Sequence, residues 1–197
     1  MDKTLIEIPQ MLMIGSTGRN SGKTTLAVEA IKRFKSTYPI IGLKVTSVEA
    51  SGDECPRGGM GCGACSNLSG HFELKEELNR DCVKDTSQLL VSGCDKVYWL
   101  KVLRTHLDYA IKEFLEKVPA GAVVVCESNS LRHVVKPGAF VMLDNEKDIA
   151  KDTAKSVMDM VDAVISKDIR DCVEQVLDAI SVLEEKKGLR IKYETFA

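Results

Sequence analysis

The sequence predicts a single α/β domain, a mostly parallel sheet with helices on both faces, and three observations carry that prediction. Short apolar runs alternate with amphipathic stretches of helical spacing, the order of a parallel sheet joined by crossover helices. The first apolar run, Met11-Leu12-Met13-Ile14, leads through a loop of small residues, Gly15 to Gly22, straight into such a stretch. The 197 residues, 44% hydrophobic and 28% charged, lie in the range of length and composition in which one core forms.

Taken in order, Met11 to Ile14 reads as a buried strand. Residues 23–36 follow with Ala27, Ala30, Ile31 and Phe34 on one face, at i, i+3, i+4 and i+7. Pro39 breaks this helix, and Ile40 to Val45 reads as a second strand. Lys96 to Val102, Ala122 to Cys126, Phe140 to Leu143 and Ala163 to Ser166 complete the strands. Thr105 opens a helix that buries Leu107, Ile111, Phe114, Leu115 and Val118. Ala154, Val157, Met158 and Val161 make another helical face. A last helix uses Val173, Val176, Leu177, Ile180 and Leu183 and stops at Gly188. Trp99 is a strand residue expected to serve packing. From Ser47 to about Asn79 the periodicity fades and glycine accumulates, so residues 47–82 are expected to form an insertion in the single domain spanning 1–197.

Charge excludes some function classes. Lys plus Arg number 27 and Asp plus Glu 29, a net charge of −2 with no basic block, which argues against a nucleic-acid or membrane-surface binder. No apolar run approaches the ~20 residues of a membrane span. Met1-Asp2-Lys3-Thr4 enters a strand without the apolar region of a secretion signal. A cytoplasmic setting is expected, and the seven cysteines, an odd number in such a setting, argue against a disulfide framework.

The strongest motif is Gly15-Ser-Thr-Gly18-Arg19-Asn20-Ser21-Gly22-Lys23-Thr24-Thr25. Between an apolar strand and an amphipathic helix it has the setting of a P-loop, the phosphate cradle of a three-layer NTPase sandwich. Small residues let backbone amides curl around phosphate oxygens, and the helix N-terminus adds its positive end. Lys23 can reach the outer phosphates and the Thr24 hydroxyl can ligate Mg²⁺. The strict pattern asks for glycine at 17, where this chain has Thr17. Glu127 follows Val123-Val124-Val125-Cys126 at the carboxyl end of a strand, where a carboxylate can hold Mg²⁺ through water or polarise an attacking water. Lys44 ends the second strand's apolar run and is either a phosphate partner or a solvated lysine. Asp85 reads chiefly as the cap of a helix running to Gly93.

In their order, Asn20 to Leu26, Gly42-Leu43-Lys44, Lys84-Asp85-Thr86-Ser87 and Val123 to Glu127 resemble the molybdopterin-guanine-dinucleotide biosynthesis protein B family. These are small GTP-binding P-loop proteins related to dethiobiotin synthetase and the metal-centre maturation NTPases. The resemblance spans roughly residues 9–170, and it implies Gly22, Lys23, Thr24 and Thr25 on the phosphates and Mg²⁺, Glu127 as the acidic partner, Lys44 near the γ-phosphate and Asp85 facing the substrate side. Gly18, Arg19, Asn20 and Ser21 of the same loop are expected to join them in binding the nucleotide. It also implies slow hydrolysis in the service of molybdenum-cofactor biosynthesis beside a protein partner. Two features depart from the family. Its histidine-rich stretch after the second strand is replaced by Thr46-Ser47-Val48-Glu49, and its Glu-Gly by Glu127-Ser128-Asn129-Ser130. GTP rests on the resemblance alone; ATP is the alternative, because Ser166-Lys167-Asp168 lacks the asparagine of a guanine-reading motif and Asp168 reads as a helix cap.

Cys55, Cys62 and Cys65 lie in Cys-Pro-Arg-Gly-Gly-Met-Gly-Cys-Gly-Ala-Cys, where glycine permits the turns that bring three thiolates round one ion. Zn²⁺ or an iron–sulfur cluster is expected there, with Cys82 as the first choice of fourth ligand, His71 and Cys94 next, and a second subunit of a homodimer as a further source. Cys126 and Cys172 read as small buried hydrophobes. Two other functions stay open: an ATP-dependent synthetase of the dethiobiotin-synthetase type, and a non-enzymatic metal or cluster carrier gated by nucleotide.

Overall fold

A computed structural model describes residues 4–49, 68, 70–144 and 151–194. Its elements are β1 (Ile6–Ser16), α1 (Lys23–Phe34), β2 (Ile40–Val48), β3 (Phe72–Glu76), α2 (Asp85–Ser92), β4 (Lys96–Leu103), α3 (Leu107–Leu115) and β5 (Val123–Glu127). Then come β6 (Val135–Leu143), the one-turn α4 (Asp152–Lys155), β7 (Ala163–Ile165), α5 (Ile169–Asp178), β8 (Ile180–Glu185) and β9 (Gly188–Tyr193). Seven strands form one sheet in the order β3-β4-β2-β5-β1-β6-β7, parallel throughout except for β3, which runs antiparallel to β4.

Strand pleating divides the apolar residues between two cores. Leu12 and Ile14 of β1 and Val123 and Val125 of β5 face α1, α2 and α5, where Leu26, Ala30, Ile31, Leu89, Val176 and Leu177 meet them. Met11 and Met13 with Val124 and Cys126 face the other way, onto Leu107, Ile111 and Phe114 of α3. Helices therefore cover both faces, as the alternating pattern predicts. Burial on both sides also explains why β5 reads as an unbroken apolar run. Because β1 and β5 are central neighbours, with Ile14 level with Glu127, the loop after β1 and the end of β5 emerge side by side at one sheet edge.

Three expectations are corrected. The last helix ends at Asp178, and Ile180 to Glu185 instead pairs with Gly188 to Tyr193 as a separate hairpin. Val173, Val176, Leu177, Ile180 and Leu183 happen to sit at helical spacing, but Leu183 is 37% exposed and Gly188, at φ 128°, closes the turn rather than the helix. The hairpin lies against β1 and β6 at Gly138, where an added Cβ would overlap Pro9 O and stand 2.6 Å from Ile191 O. Within the expected insertion, Phe72 to Glu76 forms edge strand β3. The helical face of Ala154, Val157, Met158 and Val161 is only α4 followed by a 3₁₀ turn at Met158–Met160, though Ala154 and Val157 are buried as expected.

No helix among the described residues is long and apolar enough to cross a membrane. A methyl group at position 138 has no space beside two carbonyls. Gly138→Ala is therefore expected to lower the unfolding free energy by about 1–3 kcal/mol in urea titrations, a loss typical of overpacking.

Candidate functional site

The Gly15–Thr25 loop is shaped by its own backbone. Asn20 (φ 52°) and Gly22 (φ 82°) both take left-handed conformations, and Gly22 is the N-cap of α1. A Cβ at Gly22 would also strike Ile169 Cγ2, so the position excludes side chains twice over. No side chain caps α1, and its first amides, those of Lys23, Thr24 and Thr25, have no partner within the helix. Such a terminus favours an anion.

Residues from three other segments hold the loop in place. Thr17, which stands where the strict motif has glycine, is buried and donates from Oγ1 to Asp144 Oδ1 (2.8 Å) at the end of β6. Asn129 grips Ser16 at both ends, accepting its N–H at Oδ1 and donating from Nδ2 to its carbonyl, each at 2.9 Å. Lys151 donates from Nζ to Gly18 O (2.6 Å) and from its backbone N–H to Thr17 O (3.0 Å). Lys23 folds back over the loop and donates to Ser16 Oγ at 2.6 Å.

Beside this loop stands a compact group of charges. Lys44 reaches across from β2 to pair with Asp85 and lies 3.6 Å from Glu127 Oε2. Asp85 is the first residue of α2 and not its cap, a correction to the expected role. The N-terminal turn is closed instead by Ser87, whose Oγ accepts from Lys84 N–H (3.1 Å) and donates to Lys84 O (2.8 Å). Glu127 is only 3% exposed, and neither carboxylate oxygen has a hydrogen-bond partner at ordinary distance. Burial pushes its carboxyl above the usual range, with the nearby Lys44 charge pulling down, Asp85 pushing up, and Thr24 and Lys23 again pulling down. Burial likewise holds the Lys23 ammonium below the usual lysine range, against the pull of Glu127.

A cleft of about 570 Å³ opens on the other side of the loop, lined by Asn20 to Gly22, Thr25, Asp144 and Ser166 to Arg170. Asp168 caps α5, as its sequence position suggests, accepting Arg170 N–H at 3.0 Å. The structure thus brings Gly18, Asn20, Ser21, Gly22, Lys23, Thr24, Thr25, Lys44, Asp85 and Glu127 to one sheet edge, with Arg19 exposed on the loop. Sequence reasoning misses Asn129, Asp144 and Lys151, which join the loop across separations of more than 100 residues. The Glu127-Ser-Asn departure was a visible signal for Asn129.

Cys55, Cys62 and Cys65 lie outside the described residues. Cys82 is exposed, in a left-handed conformation (φ 59°) on the loop before α2. Cys94 cannot serve the expected ligand role: it is 5% exposed in the α1–α2 core, and burial pushes its thiol up to about 12. Cys126 and Cys172 are buried as expected. Among the described residues no group of three or more His, Cys, Asp or Glu side chains is placed to hold a metal ion. Thr24 and Glu127 are two protein groups only, which suits Mg²⁺, an ion that takes its remaining oxygens from phosphate and water. No protein-family model, curated protein or solved structure matches this chain.

A carboxyl whose folded-state pKa stands above its unfolded value loses stabilisation as pH rises between the two. The ligand-free protein is thus expected to be less stable than Glu127→Gln at neutral pH, and the gap should close as the pH falls to about 4. Urea unfolding across that range checks it; a wild type more stable than the variant at pH 7 would contradict it.

Proposed function

We propose that the chain binds a nucleoside triphosphate with Mg²⁺ on a P-loop formed by Gly15 to Thr25 and hydrolyses it slowly. The observation that carries this reading is the buried carboxylate of Glu127, which has no hydrogen bond at ordinary distance and only the Lys44 ammonium, 3.6 Å away, as a close counter-charge, beside Thr24 and Lys23. A carboxylate left in that state is stabilised once a divalent cation shares its surroundings. Mg²⁺, when bound, would supply positive charge that offsets the charge of the phosphates.

In this reading the amides of residues 18–25 would cradle the phosphates, and Thr24 and Glu127 would hold the cation. Lys23 exchanges Ser16 Oγ for phosphate oxygens, whose negative charge favours its protonated form. A water oxygen attacks the γ-phosphorus and the bond to the bridging oxygen breaks. Nucleoside diphosphate leaves, and the water's protons end on inorganic phosphate and solvent. Lys23, Lys44 and the loop amides stabilise the charge that develops. The cleft beside Asn20 and Asp168 suits the nucleoside in position and size. GTP is the first choice of nucleotide and ATP the second, on the family resemblance.

The same resemblance supports a role in molybdenum-cofactor guanine-dinucleotide biosynthesis or related cofactor maturation, beside a partner enzyme. The Cys55, Cys62 and Cys65 cluster is read as a site for Zn²⁺ or an iron–sulfur cluster, completed by the exposed Cys82. A synthetase of the dethiobiotin type finds no added support around Glu127, since Ser128 and Asn129 serve the loop and the following turn: Ser128 Oγ accepts Leu131 N–H at 3.1 Å.

Two experiments follow. Lys23→Ala is expected to weaken Mg-triphosphate binding by about two orders of magnitude in calorimetry while circular dichroism stays unchanged; retained affinity would refute the phosphate assignment. Cys62→Ser is expected to lower the zinc or iron content of anaerobically purified protein without changing nucleotide affinity. Unchanged metal content would reject chelation by this cluster.

A further inference from the structure

A row of side chains continues away from the phosphate loop along the same sheet face. Register sets Lys44 beside Trp99 and Thr46 beside Lys101 across β2 and β4, while Glu73 and Lys75 of β3 stand level with Lys101 and Trp99. Nearer the amino end of these strands this face is apolar, with Ile40 and Val97 under α1 and α2. Past Val97 it turns polar, yet Thr46 is only 5% and Lys101 8% exposed. Trp99 is fixed there, donating from Nε1 to Thr46 Oγ1 at 3.0 Å. The Lys101 ammonium sits 4.4 Å above the indole ring.

That ammonium has a single carboxylate neighbour. Its ion-pair partner, Glu73, is 3.5 Å away, beyond ordinary hydrogen-bond length, and the Glu73 carboxylate lies closer to Lys75, at 2.7 Å. Lys101 has three donors and one carboxylate oxygen, Glu73 Oε2, within ion-pair reach, while Lys75 takes Glu73 Oε1. The parallel-strand spacing puts the Cα atoms of Lys101 and Lys44 about 8 Å apart. Lys44 in turn touches Asp85 and approaches Glu127.

We infer that Lys101, Trp99 and Thr46 form a subsite for a small organic anion, a carboxylate or phosphate monoester whose body lies beside the indole. Lys101 supplies the counter-charge, Trp99 the platform, and Glu73 occupies the ammonium when the ligand is away. The subsite borders the place assigned above to the terminal phosphate, so it would seat the second reactant or regulator of that site. It depends on the nucleotide reading only for the identity of this neighbour.

Trp99 is the only tryptophan in the chain, so its emission reports on the subsite directly. The protein is titrated with inorganic phosphate and separately with succinate, against KCl at matched ionic strength. Mg²⁺ and a non-hydrolysable GTP analogue are present at saturation so that the loop is already filled. A saturable change in emission is expected with at least one anion: succinate alone marks a carboxylate ligand, phosphate alone a phosphate monoester. In Lys101→Met the midpoint should move at least about tenfold higher while the affinity for the GTP analogue, read by calorimetry, is kept. Glu73→Gln, a change on an edge strand, should tighten anion binding by about threefold by freeing the ammonium, and it carries the test if Lys101→Met does not fold. No saturable response in the wild type, an equal response in Lys101→Met, or no gain in Glu73→Gln would overturn the subsite. If calorimetry shows no triphosphate binding, the succinate titration without nucleotide still tests the subsite alone, so the two failures are told apart.

Discussion

A carboxylate buried at the carboxyl edge of a parallel sheet without a hydrogen-bond partner is the constraint around which this molecule is arranged. Glu127 is carried there by four apolar residues that have no alternative to the sheet interior. Around it stand three groups that modulate its charge: Lys44, held between it and Asp85; Lys23, drawn back to Ser16; and the hydroxyl of Thr24. In the free protein this cluster is strained electrostatically, with an acid whose burial resists ionisation and a lysine whose burial resists protonation. In the proposed reading, a polyanion arriving with a divalent cation would relieve both conditions together.

The loop facing Glu127 is kept open by its neighbours and not by its own glycines alone. Asn129 holds Ser16, Asp144 holds Thr17, and Lys151 holds Gly18, so strand ends on both sides of β1 set the loop's path. Thr17 shows how a departure from a motif can be compatible with the geometry: its hydroxyl donates to Asp144, a bond that glycine could not make. The C-terminal hairpin contributes from a distance by covering the amino half of β1 and β6 through the close approach at Gly138.

Much of this was legible from residue order. The strand–loop–helix succession from Met11 to Phe34 is local, and so is the placement of Glu127 by Val123 to Cys126; each needs only a window of about a dozen residues. What escaped is non-local or degenerate. The helical spacing of Val173 to Leu183 is real, but the chain switches to strand after Asp178, because Ile180 and Val182 can pair with β9 and cover β1. The short β3, Phe-Glu-Leu-Lys-Glu, has a pattern too brief to stand out beside a glycine-rich stretch, and it exists through pairing with β4. Asn129, Asp144 and Lys151 become loop partners only once β5, β1 and β6 are neighbours. Asp85 was misplaced by one residue, and that residue decides whether it caps α2 or meets Lys44.

The central claim is that Glu127 awaits a cation brought by a phosphate chain. Its most direct test is electron paramagnetic resonance of Mn²⁺ substituted for Mg²⁺, recorded with GTP and ATP analogues, on the wild type and on Glu127→Ala. The account predicts one tightly bound Mn²⁺ per chain only when a triphosphate analogue is present, and its loss in the variant. Mn²⁺ that binds neither protein, or binds both alike, would contradict it.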